Sequence, residues 1–178
     1  MLWYLLKTWA GKEEELVKTI HRAVPQEMYE ECFVIYQERI WRKQQKSIVH
    51  REPLFSGCVF LTCKGQRFSR LFFEYLERIP DMAIGKACGA WTAFPMMGED
   101  AEFLAEISGR EHVVSLSYVQ RDEAGKVCKI SDPLHSCKEQ IVRYQFKKRY
   151  AMVRHRLWGE EQAIVLGIML EEDAELKH

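Results

Sequence analysis

The sequence predicts an α+β domain with an antiparallel sheet, followed by a small all-β barrel. Three observations carry that prediction. The first hundred or so residues run strand, helix, three strands and then helices, without the strand–helix alternation of a parallel sheet. Beyond a glycine-containing break at residues 108–111, the pattern shortens to five strands in fewer than sixty residues, which suits a small closed barrel without exposed edges. The 178-residue chain is 47% apolar and 29% charged, which excludes disorder and allows one full-sized domain or two small ones.

Residues 3–8 are rich in aromatic and bulky apolar side chains and read as a strand. Gly11 begins a helical stretch with Leu16, Val17, Ile20 and Val24 on one face; Lys12, Glu15, Lys18 and Arg22 lie elsewhere, and Pro25 closes it. Residues 32–41 read as a second strand and 46–49 as its return, with Arg42, Lys43, Gln44 and Gln45 at the tip. Residues 53–63 give a fourth strand after the turn carrying Pro53 and Gly57. There Val59 and Leu61 point one way, and Cys58 and Phe60 the other. Both faces are apolar, so the second must lie under a helix or meet a partner.

Residues 68–78 are helical by spacing, with Leu71, Phe72, Tyr75, Leu76 and Ile79 on the apolar side. Residues 82–95 read as irregular, broken by Gly85, Gly89 and Pro95. Residues 99–107 form a short helix built on Phe103, Leu104 and Ile107, and Ser108-Gly109-Arg110-Glu111 reads as a hinge. The later strands are expected at 113–119, 126–130, 140–146, 151–157 and 163–170. The expected division is a first domain at 1–108, a linker and first barrel strand region at 109–118, a barrel at 119–172 and a tail at 173–178.

Formal net charge is zero, from 26 basic and 26 acidic residues. Residues 126–158 nevertheless carry nine basic side chains against two acidic ones, a net +7. After Trp158 the sign reverses with Glu160, Glu161, Glu171, Glu172, Asp173 and Glu175. A basic block in a neutral chain points to a localised polyanion site. The six cysteines form no Cys-x-x-Cys pair and read as reduced small hydrophobes rather than zinc ligands. The six histidines are scattered without metal-binding spacing. There is no phosphate-binding glycine loop and no nucleophile beside an obvious base, so no enzyme, metal or cofactor is expected. No apolar run reaches the length of a membrane span, and the N-terminus lacks a basic region before its short apolar stretch. The expectation is a cytoplasmic protein without a membrane partner.

Trp3-Tyr4-Leu5-Leu6, Gly11-Lys12-Glu13 and Pro53-Leu54-Phe55-Ser56-Gly57-Cys58-Val59-Phe60 resemble, in residues and in order, the N-terminal domain of the NusG family of transcription elongation factors. Gly125-Lys126-Val127 with Ile130 and Pro133-Leu134 looks like the first strand and loop of that family's KOW motif. Lys147-Lys148-Arg149 with Ala151 and Val153 looks like its basic turn and next strand. The resemblance implies a NusG-type (NGN) α/β sandwich followed by a KOW domain with an SH3-like barrel. The Glu-Pro-Leu-Phe wording at 52–55 is close to RfaH, while the helix with Phe103-Leu104 and the Lys-Lys-Arg turn are closer to LoaP. That implies a specialised antitermination paralog of LoaP type (RfaH-like). Two features depart from the family pattern. Asp132, Ser136 and Glu139 stand in the KOW loop where glycines are usual, and Cys58 replaces a tyrosine.

The resemblance also implies partners. Phe55, Cys58 and Phe60, with Tyr4 and Trp91, would line a hydrophobic depression for the clamp helices of RNA polymerase; for Phe55 and Phe60, core packing stands open beside that role. Arg39, Trp41, Arg42, Lys43 and Lys46 form a basic hairpin with an embedded aromatic. It is either a solvated turn or a contact with upstream DNA or the non-template strand. Lys129, Arg143, Lys147, Lys148, Arg149, Arg154 and Arg156, with Tyr144, Phe146 and Tyr150 interleaved, point to nascent RNA, including a hairpin leader recognised by shape and backbone. The alternative partner of this domain is a protein, either a ribosomal protein or a termination factor. The expected state is a monomer. Ser69 and Arg70 read as a helix cap and surface.

Overall fold

The computed structural model of the protein describes residues 1–44, 46–65, 67–79 and 93–177. The chain forms two compact units, Met1–Ile35 with Phe55–Ala101, and Tyr36–Leu54 with Glu102–His178.

The first unit is built on a four-stranded antiparallel sheet of β1 (Leu2–Lys7), β2 (Glu31–Phe33), β5 (Cys58–Cys63) and β6 (Ala93–Pro95), in the order β2-β5-β1-β6. Helix α1 (Glu13–Ala23) buries Leu16, Val17 and Ile20, the stripe its apolar spacing sets out, and packs on β2 and β5. Glu13, Glu14 and Glu15 place negative charge at its N-terminus, where the helix dipole favours it. Helix α2 (Arg70–Glu77) is capped by Ser69, whose Oγ accepts a hydrogen bond from the Phe72 N–H at 3.2 Å.

Cys58 through Thr62 of β5 are all buried, so both apolar faces of this strand are covered within the chain itself. On one face Trp3, Phe33 and Phe60 form an aromatic cluster, with ring centroids 5.3 to 6.0 Å apart. Tyr4, on the opposite face of β1, meets Phe68 edge-on at 4.9 Å.

The second unit contains two sheets. The hairpin of β3 (Tyr36–Lys43) and β4 (Lys46–Pro53) is joined by β7 (Val113–Val114), parallel to β3. Strands β8 (Ser117–Arg121), β9 (Val127–Ile130), β10 (Ile141–Gln145), β11 (Tyr150–Leu157) and β12 (Glu160–Met169) form a five-stranded sheet in the order β10-β11-β12-β8-β9. Ala151, Val153 and Leu157 point into its core, while Arg154 and Arg156 point out. The two-residue turn from β11 to β12 has Trp158 and Gly159 both at positive φ, the geometry that matches strand twist in a tight hairpin. Between β9 and β10, a 3-10 segment (Leu134–Gln140) buries Leu134 and Cys137. Helix α3 (Gly98–Ser108) contains the division between the units.

Four features differ from the reading of the sequence. The single strand expected at 32–41 is two strands, β2 and β3, because the unbroken apolar run through Val34 and Ile35 hides the break. The strand expected at 113–119 likewise divides at Ser115 and Leu116 into β7 and β8. The stretch 82–95 falls largely outside the described residues, and its end forms β6. The acidic segment expected as a tail folds as a 3-10 segment (Glu171–Lys177) with Asp173 buried. The β3–β4 hairpin belongs with the second compact unit. Gly167 of β12 lies directly against the Glu38 carbonyl of β3, an approach that leaves no space for a Cβ.

Candidate functional site

Two surfaces carry the residues singled out in the sequence, one in each unit.

In the first unit, the turn before β5 presents Phe55, which is half-buried, and Ser56, which is exposed. Gly57 fixes this turn. Its φ is +73°, and a Cβ there would lie 2.5 Å from the Thr8 carbonyl oxygen. The Thr8 N–H donates to the Gly57 carbonyl at 2.9 Å, and the Gly57 N–H donates to the buried Glu13 carboxylate at 2.6 Å. The turn is therefore held from the end of β1 and from the first turn of α1. Trp9, next along the chain from Thr8, is 57% exposed.

The expected docking residues separate into two groups. Phe60 is 1% exposed and packs in the aromatic core. Cys58 is also buried and receives the Lys7 ammonium at 3.0 Å; burial raises its thiol pKa, and Lys7 offsets this only in part. Tyr4 is half-buried against Phe68 and Phe73. Phe55 alone of that set stands at a turn on the surface, and Trp91 lies outside the described residues. Trp9 and Phe94, 57% and 47% exposed, were missed. Trp9 follows the strand signal of β1, and Phe94 sits in a stretch whose glycines read as irregular.

In the second unit the structure brings together two groups that the sequence kept apart. Arg39, Trp41, Arg42, His50 and Glu52 of the β3–β4 hairpin and Lys147 to Tyr150 of the turn before β11 line one cleft of about 360 Å³. The Arg39 guanidinium lies over the Tyr150 ring at 5.4 Å and meets Glu52 at 3.2 Å. Trp41 is 60% exposed, with the His50 ring 5.1 Å away.

Arg149, expected among the RNA contacts, is turned inward. It is 2% exposed, occupies the left-handed region at φ 55°, and donates to Asp173, Glu172 and the Phe146 carbonyl. Burial alone would lower its pKa, but the hydrogen bonds it donates to Asp173 and Glu172 win and raise it. Burial would likewise raise the Asp173 carboxyl. Bonds from the Arg149 side chain and the Leu170 N–H outweigh that and hold it below the usual carboxylate range. The pair is a structural clamp at the edge of the cleft. Lys147 and Lys148 are exposed and have no ion-pair partner among the described residues. Lys129, Arg143, Arg154 and Arg156 are exposed on β9, β10 and β11 and do not line the cleft. Arg121 was missed; its guanidinium covers the Phe146 ring at 4.6 Å.

Residues 1–83 match the model of a family described as transcription termination factor nusG. Over that stretch, a little under half of its length, the chain is similar to the NusG family. It is a family of transcription factors and not of enzymes. A solved structure titled "Domain interaction in Thermotoga maritima NusG" is similar to the chain in fold, at 14% identity and a TM-score of 0.50, covering 93% of each chain. A search of curated proteins returns no significant match. The NusG-type match contains both Glu13 and Gly57, so the joint between them lies within the shared domain.

Among the described residues, no group of three or more His, Cys, Asp or Glu side chains is placed to hold a metal. No helix among them is long and apolar enough to cross a membrane.

Proposed function

We propose that the protein is a transcription elongation factor of the specialised LoaP type (RfaH-like). Its first unit docks on the clamp helices of RNA polymerase, and its second unit binds a structured leader in the nascent RNA. The single observation that carries the reading is the NusG family match over residues 1–83. The docking surface is the turn held by Gly57, with Phe55 as its anchor and the exposed Trp9 next to Thr8, the residue whose N–H bonds that turn. Clamp binding favours antitermination only by differential affinity: the factor must hold the closed, processive clamp state more tightly than the pause-prone one. The basic side chains left exposed on the second unit support RNA over a protein partner. Lys129, Arg143, Lys147 and Lys148 are all open to solvent.

The test is a single-round transcription reaction through an intrinsic terminator, with and without a structured leader upstream. The expected result is readthrough that rises on addition of the protein and depends on the leader. Readthrough unchanged at saturating protein would contradict antitermination. Readthrough that rises equally without a leader would contradict RNA recognition and favour a protein partner for the second unit.

A further inference from the structure

We infer that the β3–β4 hairpin and the turn at residues 146–150 form one composite cleft for single-stranded nucleic acid, with a base stacked on Trp41 and adjacent phosphates on Lys147 and Lys148. The inference rests on the reading of the second unit as a nucleic-acid-binding domain and deepens it, because it replaces a DNA hairpin and a separate RNA turn by a single site.

Four observations carry it. The first is placement: residues more than one hundred positions apart in sequence line the same cleft within one compact unit. The second is Trp41. A large indole that is 60% exposed amid Arg39, Arg42 and Lys43 offers a flat apolar surface to solvent, which is the platform a base requires. His50, 5.1 Å from it, supports the ring from the paired strand β4.

The third is the gradation of charge along the cleft. Arg39 is committed to Glu52 and Tyr150, and Arg149 is committed to Asp173 and Glu172. Arg42 is held only loosely, 3.6 Å from Asp173 and 3.8 Å from Glu172, with half of its side chain exposed. Lys147 and Lys148 have no acidic partner among the described residues. The positive charge free to meet a polyanion therefore lies on the two lysines, with Arg42 able to exchange a weak contact for a phosphate. The fourth is incomplete satisfaction. Arg39 Nε and His50 Nδ1, both on residues of the cleft wall, are buried without a hydrogen-bond partner among the described residues. Buried polar atoms are rarely left so unless a ligand or water completes them.

The size of the cleft selects the ligand form. About 360 Å³ lies near the lower end of the range for small-ligand pockets, roughly 300–1,000 Å³, and suits a nucleotide drawn out of a strand rather than a duplex. Unstacked bases on aromatic side chains with phosphates on lysines are the chemistry of single-strand binding.

The experiment is fluorescence anisotropy on the full chain, with labelled oligothymidine and oligouridine of about eight nucleotides and a duplex of equal length. Both single strands are expected to bind with a stoichiometry of one and more tightly than the duplex. The better of the two distinguishes a DNA strand from nascent RNA. Trp41→Ala is expected to weaken binding about tenfold, and Trp41→Phe to retain most of it. Lys147→Ala with Lys148→Ala is expected to weaken the same complex and to lower the slope of log affinity against log salt by about 1.4. These side chains are exposed, so the variants keep the fold. A stoichiometry of two, with each variant removing one site, would overturn the composite cleft. So would unchanged binding by Trp41→Ala, a duplex bound as tightly as the strands, or no binding at low salt. Each of these outcomes leaves polymerase docking standing, whereas loss of docking with intact oligonucleotide binding would sink the proposed function and spare the cleft.

Discussion

The Glu13 carboxylate accepts a hydrogen bond from the Gly57 backbone N–H at 2.6 Å, deep in the first unit. It joins the first turn of α1 to the turn that presents Phe55. Two short sequence segments, Gly11-Lys12-Glu13 and Phe55-Ser56-Gly57, are therefore one structural device. Glu13→Ala would leave that N–H buried and unpaired, at a cost of about 1–3 kcal/mol. Gly57→Ala would force a methyl against the Thr8 carbonyl at an unfavourable φ, with a comparable or larger loss. Urea unfolding midpoints of the two variants would fall together with unchanged m-values. A Gly57→Ala protein as stable as the wild type would contradict the joint.

Phe60 and Phe55 should separate in their effects. Phe60→Ala opens a cavity beside Trp3 and Phe33 and should cost about 3–5 kcal/mol of stability. Phe55→Ala, at a half-buried turn position, should cost much less and act on binding instead. Thermal melts of both variants beside the wild type decide this. Equal melting temperatures for the two would show that the core assignment of Phe60 is wrong.

Asp173 makes stability depend on acid. Its carboxyl is held below the ordinary value of about 3.9 in the folded protein. A depressed folded pKa contributes stability that is complete above the unfolded pKa and is lost as pH falls through the folded one. The loss is therefore expected below about pH 4. Asp173→Asn removes this pH-dependent contribution and leaves Arg149 paired with Glu172 and the Phe146 carbonyl alone, which costs about 1–3 kcal/mol at neutral pH. Unfolding midpoints from neutral to acid pH for wild type and variant would test both effects. A variant that keeps the full acid slope of the wild type would refute the assignment to Asp173.

The thiols should divide by burial. Burial pushes Cys32 up to about 12 and Cys137 up to about 11, so neither forms a thiolate near neutral pH. Cys128 is exposed. Alkylation of the native protein, read by peptide mass spectrometry, should label Cys128 within minutes and spare Cys32 and Cys137 until denaturant is added. Rapid native labelling of Cys32 would mean that the sheet edge beside α1 opens readily.

Much of the first unit was legible because its signals are local. Leu16, Val17 and Ile20 repeat at helical spacing, and Ser69 stands where a cap is needed. The split at Val34 and Ile35 was not legible, because a chain leaving one sheet for another inside a buried apolar run shows no polar break. The alternation in β5 predicted two apolar faces but could not say that Phe60 finds Trp3 and Phe33 within the chain. Arg149 looks like Lys147 and Lys148 in sequence. Only the return of the chain at Asp173, 24 residues later, shows that its charge is spent internally. The hairpin's place in the second unit depends on Gly167 meeting Glu38, a contact between distant positions that no local pattern encodes.

The most direct measurement is binding of the full chain to a reconstituted transcription elongation complex, comparing wild type with Phe55→Ala combined with Trp9→Ala. The expected result is tight binding by the wild type and a loss of at least about tenfold in a double variant that remains folded. Equal binding by both, or none by the folded wild type, would contradict docking at the Gly57 turn.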